Sequence, residues 1–448
     1  MKKSLILFVC LVLLTNIKAQ QTSDTLKLTL PQAIDIALNE SPTIKIANKE
    51  IERIDYSKKI AWNAFIPNVE GSGQYSKYVV PAKMSMFGSV MDSPTDFNSS
   101  VGLSVSLPLF APALWHNIKM TEIDMQAAAQ KAISSKINLK NEVTKAYYNV
   151  LVAQDSYKVL KDGYSLAQKS YEIAKKGYEL GTLAAYDYIS AEVQMNNLIP
   201  NILQVENGIT QAKTYLKILM GMDIKVPISV SNSLSEFEKN IAEVKGLSEY
   251  SLKNNSDLQQ LEIGRLQLEK ALQLQKSQKL PTLAAFGQFG YVGMGNNETT
   301  LNFGGMPIAV EPSKEFYSQG FIVGLQLKVP ITGIFTGKNK EKQLKIQEEA
   351  LVLQRIQAEN ALQLQALSTL DNMNKSVKRI ETTHKSIELA EKAYQISSKR
   401  YENGAGSMIE LQNAMLAITQ SRLSYHQAIS EYLTAKTDLE KILGNEIK

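Results

Sequence analysis

The sequence predicts a mixed, mostly α-helical fold whose β-strands belong to a barrel shared by several copies of the chain. Three observations carry this. The chain is written twice at a near-constant offset, each copy holds a strand of strict period two, and each holds a Pro-free helical stretch too long for any small-domain core. Composition sets the frame. Of 448 residues, 44% are hydrophobic and 21% charged, which is the balance of a folded chain. Beyond residue 20 no apolar run approaches the ~20 residues of a membrane helix, so a helical integral membrane protein is excluded. The formal charge of +5 includes Lys2, Lys3 and Lys18; without them 46 basic residues face 44 acidic ones. A chain so nearly neutral is unsuited to sequence-independent nucleic-acid binding.

The first nineteen residues read as a secretory signal. Lys2 and Lys3 precede an apolar stretch, Leu5 to Leu14, and Ile17-Lys18-Ala19 ends in a small residue at the cleavage point. Cys10 lies inside that stretch, with Val9 rather than a small residue before it. A mature chain would therefore carry no thiol, no disulfide and no thiolate metal site.

The repeat has a long period. Ile66-Pro67-Asn68 returns as Leu280-Pro281-Thr282, offset 214, and Val101-Gly102-Leu103 as Val323-Gly324-Leu325, offset 222. Tyr178-Glu179-Leu180-Gly181 returns as Tyr401-Glu402-Asn403-Gly404, and Leu219-Met220-Gly221 as Ile442-Leu443-Gly444, both offset 223. The gain falls in Pro81–Ser100 and Gly293–Ser318, loop-like segments that absorb insertions. The organisation read from this is a signal peptide 1–19, a first structural repeat 20–221, a linker 222–244 and a second repeat 245–448.

Each half opens with an amphipathic helix, Pro31–Phe65 or Leu247–Leu280. A Gly-diluted strand follows, Asn68–Tyr78 or Thr282–Val292, then a long loop and a second strand. In that second strand Val101, Leu103, Val105, Leu107 and Leu109 alternate with Gly102, Ser104 and Ser106. Phe321, Val323, Leu325, Leu327 and Val329 alternate with Gly324, Gln326 and Lys328 in the same way. Helical sequence then runs over Ala113–Glu179 and Gly337–Glu402, about 66 residues or roughly 100 Å at 1.5 Å per residue. A heptad-like seam runs through Leu370, Met373, Val377, Ile380, His384, Ile387 and Tyr394, with Ala390 between. Its first-half match is Tyr147, Val150, Gln154, Tyr157, Lys161, Tyr164 and Tyr171. Further helices, Ala184–Gly221 and Ser407–Gly444, complete the halves.

Such a rod must pack sideways on other helices. The strands, about 10 residues long with one apolar and one polar face, match membrane-spanning strands. An open sheet edge is not tolerated in lipid, and four strands are too few to close. Several chains must therefore build one barrel. The competing reading is a soluble two-sheet domain with helical arms.

The doubled architecture, Leu107-Pro108-Leu109-Phe110 and Val329-Pro330-Ile331 before each long helix, and the Tyr-x-x-Gly turns together resemble the TolC-like outer membrane efflux protein family, over about residues 26–444. That family comprises the exit ducts of tripartite pumps and type I secretion systems. The resemblance implies a homotrimer with twelve strands in one outer-membrane barrel, set in outer-membrane lipid. A helical tunnel would cross the periplasm, with residues 222–244 at its equator. The partners implied are a periplasmic adaptor and an inner-membrane transporter; no nucleic acid, cofactor, metal or catalytic residue is implied.

Under the same resemblance the turns at the ends of the rods form the tip that meets the adaptor and opens the duct. The residues so marked are Lys176, Tyr178, Gly181 and Asp187, with Arg400, Tyr401, Gly404, Ser407 and Glu410. Read for structure alone, the same residues make good helix–turn–helix joints. Gly181 and Gly404 fit left-handed helix stops. Ser407 with Glu410 reads as a capping box, and Thr182 stands in as the cap of the first-half joint. Tyr178 and Tyr401 are expected to be exposed beside charges. The acidic ring that the family often places before the second tip meets Gln395 and Ser398 here. Glu172 and Lys175 stand at the first-half positions, and Glu391 is a substitute on a neighbouring face. Ser104, Ser106, Gln326 and Lys328 are the expected lumen-facing strand residues and favour a wet interior.

The three histidines, His116, His384 and His426, share no metal-ligand spacing, and His384 reads as a packed seam residue. Met84, Met86 and Met91 offer either a soft-metal thioether cluster or a loop with chance methionines. Trp62, Phe65, Phe110 and Trp115 sit where strand meets helix, as interfacial anchors or as junction packing. The rival to a duct is a non-conducting periplasmic scaffold built on the same rods.

Overall fold

A computed structural model describes residues 25–444, apart from 81–82, 87–88, 93–94, 96, 240, 244–250, 296–298, 304–305 and 311–315. The first 24 residues, which include the expected signal and Cys10, and the last four residues lie outside the described residues. The chain divides into two units: Met1–Asn48 with Lys131–Gln259 and Gln357–Lys448, and Lys49–Gln130 with Gln260–Ile356. Most of the chain is helical. No described helix is long and apolar enough to cross a membrane.

The element order begins with β1 (Leu26–Leu28), α1 (Leu30–Glu40), α2 (Pro42–Asn63), β2 (Asn68–Lys77), β3 (Lys83–Met86), β4 (Ser89–Asp92), β5 (Phe97–Phe110), α3 (Pro112–Glu179) and α4 (Ala185–Leu219). After β6 (Ile228–Val230) and α5 (Leu234–Glu238) come α6 (Ser256–Ser277), β7 (Thr282–Gly295), β8 (Thr299–Phe303), β9 (Met306–Val310), β10 (Phe316–Lys328), α7 (Ile331–Glu402) and α8 (Met408–Leu443).

Several boundaries differ from the sequence expectation, each for a local reason. The single opening helix is two, because Pro42 drives Ser41 to ψ 132° and ends α1 there. Its second-half counterpart starts only at Ser256, where Asn255 Oδ1 accepts the Asp257 N–H at 2.9 Å and the Leu258 N–H at 3.1 Å. α7 starts at Ile331 rather than Gly337. Gly337 is helical, and a Cβ there would first meet the flexible end of the Lys279 side chain. The two long loops contain hairpins, β3–β4 and β8–β9. Met84 pairs in register with Met91 in the first of them.

In the first unit the linker is a structured strap. β6 pairs in parallel with β1, Leu26 opposite Ile228 and Leu28 opposite Val230. The Tyr147 hydroxyl lies 2.6 Å from Asn232 Oδ1 and 3.0 Å from the Leu28 carbonyl. Buried Lys217 donates to the Ile224 and Val226 carbonyls, and Tyr425 hydrogen-bonds Glu238. α4 and α8 both end on left-handed glycines, Gly221 (φ 70°) and Gly444 (φ 67°). A Cβ would meet the Glu40 carbonyl oxygen at 2.6 Å in the first and the Asn254 carbonyl oxygen at 2.4 Å in the second. Only glycine satisfies both the dihedral and the close approach.

The seam of the rods is only partly the expected one. Tyr147, Val150, Leu370, Met373, Val377 and Ile380 are buried together. Lys161 and His384 are exposed, and Gln154 and Tyr157 are half-buried. Farther along α3 the buried positions are instead Ala167 and Ala174, which pack with Met408, Leu411 and Met415 of α8. The rod changes neighbours, so one heptad frame does not follow its buried face. His384 rests against the Tyr425 ring at 5.7 Å rather than in the core.

The second unit holds a four-stranded antiparallel sheet of order β10-β7-β5-β2. Register assigns its faces, since paired residues share a side. One row runs Glu70, Ser104, Gln288, Ile322, and the next row on that side runs Ser72, Gly102, Gly290, Gly320. The opposite side presents Val101, Leu103, Val105, Phe321, Val323, Leu325 and Leu327, all exposed.

Candidate functional site

Two constellations contain the residues singled out from sequence. The first is the pair of turns that join α3 to α4 and α7 to α8, both in the first unit. Their backbones match. Gly181 (φ 72°) and Gly404 (φ 69°) donate to the Tyr178 and Tyr401 carbonyls at 2.9 and 3.0 Å. Thr182 and Ala405 donate back to the Gly177 and Arg400 carbonyls at 2.8 Å each. These bonds satisfy helix-end carbonyls that would otherwise be orphaned.

Their side chains do not match. Tyr178 is 48% exposed and stacks on Tyr188, ring centroids 5.7 Å apart at 10°. Tyr401, expected to be exposed, is 6% exposed and packs with Ala174, Ala191 and Met408. Its hydroxyl has no hydrogen-bond partner among the described residues. Burial, with Asp187 nearby, pushes its pKa up to about 12. The reason is topological: Ala191 and Asp187 of α4 lie beside Tyr401.

Caps differ too. Ser407 Oγ accepts the Glu410 N–H at 3.2 Å, one arm of the expected box, while the Glu410 carboxylate lies 3.9 Å from Arg400. Thr182 does not cap α4. Its hydroxyl donates to the Gly177 carbonyl at 3.0 Å, and Ala184 occupies the N-cap with no side chain to offer. Lys176 is exposed, Asp187 half-buried, and the Arg400 guanidinium donates to the Ala405 carbonyl at 3.1 Å. The turns are neighbours, since Gln412 Nε2 donates to Ser190 Oγ at 3.1 Å. Glu391, the substitute acid, accepts from Arg422 at 2.7 Å, and Arg422 also lies 3.5 Å from Asp162. Its charge is therefore neutralised locally. Sequence reading missed the ladder Tyr171–Tyr188–Tyr178, centroids 5.6 and 5.7 Å apart, which Tyr recurrence at i and i+7 in α3 would have flagged.

The second constellation is the sheet face in the second unit. Ser104, Ser106, Gln326 and Lys328 all fall on the side that also carries Asn68, Glu70, Ser72 and Gln288. At the strand ends Trp62, Phe65 and Trp115 form one aromatic cluster, with centroids 4.8 to 5.9 Å apart. Among the described residues no group of His, Cys, Asp and Glu is placed to hold a metal ion.

The comparisons with known proteins agree with one another. Residues 33–222 and 247–445 each match the family model of the outer membrane efflux proteins. The chain is 21% identical over 348 residues to the outer membrane protein TolC of Vibrio cholerae, covering 77% of this chain and 76% of that one. Its fold is similar to the Campylobacter jejuni CmeC outer membrane channel, with TM-score 0.72, 16% identity, and 93% and 85% of the chains covered. It is also similar to the outer membrane protein VceC of Vibrio cholerae, with TM-score 0.71, 13% identity, and 94% and 97% covered. The chain belongs to the outer membrane efflux protein family.

Proposed function

We propose that the protein is the outer-membrane exit duct of an export system. It would receive cargo from an inner-membrane transporter through a periplasmic adaptor and release it outside. It is an outer-membrane protein that extends into the periplasm, in a family of efflux channels rather than enzymes. The observation that supports the duct best is the two-faced sheet. A single chain leaves an apolar wall of Val101, Leu103, Phe321, Val323 and Leu325 exposed, backed by a side rich in Ser, Asn and Gln. Among the described residues both outer strands, β2 and β10, leave one edge unpaired. Lipid on the apolar side and partner strands at the edges resolve both costs together. Three chains would give twelve strands, with the two halves of each chain as repeats.

The two turns then serve as the periplasmic tip. Tyr178, Lys176 and Glu410 would offer the adaptor contact, and Gly181 and Gly404 the tight joints. Buried Tyr401 would act as packing that holds the tip shut rather than as contact surface.

Reconstitution into planar bilayers tests the duct. Discrete ohmic openings that grow in conductance when Tyr401 is replaced by Ala support it. A stable trimer that never conducts, with or without tip substitutions, would sink it in favour of a scaffold. Photocrosslinking in cells from Tyr178 tests the contact, with an adaptor as the expected capture.

A further inference from the structure

Charge is distributed unevenly around the strand-to-helix junction of the second unit. Over residues 276–280 and 328–347 the sequence carries seven lysines and one acid, Glu341. Lys328, Lys338, Lys340, Lys342 and Lys345 are exposed. Glu341 is committed to Lys279 at 2.7 Å, and the surrounding lysines hold its carboxyl below the usual carboxylate range. At the first-half junction the charges balance instead: Lys58 faces Glu122 at 3.5 Å and Lys59 faces Asp55 at 2.7 Å.

The lysines sit at a definite level. Lys328 ends β10, opposite Thr282 at the start of β7, and Leu283 pairs with Phe110 at the end of β5. This is the end of the sheet where Trp62 and Trp115 lie exposed. At 1.5 Å per residue, Lys338 to Lys342 lie roughly 10 to 17 Å along α7 from Ile331. A long flexible side chain and a Debye length of about 8 Å bring them under the influence of a surface at the strand ends. Of the acids on the flanking helices, Glu341 is paired with Lys279, and Glu262 and Glu348 with Arg265.

We propose that Lys338, Lys340 and Lys342 form a collar that binds the phosphate of anionic phospholipid headgroups in the periplasmic leaflet. This rests on the barrel reading above. The exposed apolar wall ends where the collar begins, and exposed tryptophans share its level, as headgroup-level anchors do. The first-half junction supplies aromatic rings and the second-half junction supplies charge.

The two tryptophans of the chain are Trp62 and Trp115, so the site carries its own reporter. The full-length mature protein is reconstituted in phosphatidylcholine bilayers containing brominated phosphatidylglycerol or brominated phosphatidylcholine, and tryptophan quenching is compared. The expected result is a preference for the anionic lipid of about fivefold. K338Q/K340Q/K342Q should abolish it, K338R/K340R/K342R should retain it, and soluble glycerol phosphate should not displace the lipid. Equal quenching by both lipids overturns the collar while leaving the barrel standing. So does a preference that survives the glutamine variant, or displacement by glycerol phosphate. No quenching by either lipid removes the barrel reading itself.

Discussion

The two turns at the ends of the long helices share a backbone and differ in almost everything attached to it. Gly181 and Gly404 have the same left-handed dihedral and the same back-bonding. Yet Tyr178 stands out on Tyr188, whereas Tyr401 is buried, its hydroxyl without a partner among the described residues. The packing inside the turns is exchanged as well. In the first turn Gly177 makes room for Leu183, whose Cδ1 would lie 2.4 Å from an added Cβ. In the second turn Arg400 stands at the matching place and Gly406 gives way, its added Cβ meeting Arg400 Cβ at 3.0 Å. Turn geometry is thus a backbone property fixed by one glycine, while the side chains are free to trade bulk across it.

The largest expected break in that likeness is at the tyrosines. Tyr401→Ala should cost roughly 3–4 kcal/mol in thermal unfolding followed by circular dichroism, and Tyr178→Ala under about 1 kcal/mol. Next comes alkali. Tyr401 is neutral when protonated, and its folded pKa of about 12 lies above the ordinary 10. Its share of stability is therefore intact below pH 10 and is lost as pH rises from 10 through 12, by roughly 2–3 kcal/mol. Tyr147 and Tyr148, also raised to about 12 by burial, add to the same limb. Tyr401→Phe should push the alkaline midpoint upward without loss at neutral pH, since it removes an unsatisfied hydroxyl. A smaller effect tests the exchange of bulk. Gly177→Ala should cost about 1 kcal/mol once its gain in helix propensity is subtracted, and should turn neutral or stabilising beside Leu183→Ala. The smallest concerns caps: Ser407→Ala should cost about 1 kcal/mol, and Ala184→Ser should add about 0.5 kcal/mol. Equal responses of the two turns across this series would show that their different surroundings carry no energy.

Most of the architecture was legible because its signals are local. Period two located β5 and β10, the absence of Pro located α3 and α7, and Tyr-x-x-Gly located the turns. The grouping of Ser104, Ser106, Gln326 and Lys328 on one face followed from alternation alone and agrees with the register. What escaped was set by partners distant in sequence. Tyr401 looked like Tyr178 because nothing within the turn reveals that Ala191 and Asp187 of α4 lie beside it. Lys161 fitted a heptad frame that holds only while the rod keeps one neighbour. The strap at 223–243 looked like a linker because its bonds run to Tyr147, Lys217 and Tyr432 on the helices.

The parallel pairing of Leu26–Leu28 with Ile228–Val230 has a consequence for the order of assembly. The two strands are about 200 residues apart in the chain. A polypeptide delivered from its N-terminus must therefore carry its first strand unmatched while the whole of α3 and α4 is laid down. Such a contact forms late, because closing so large a loop costs entropy before any bond repays it. The three-residue length of β1 keeps that waiting edge too short to template aggregation.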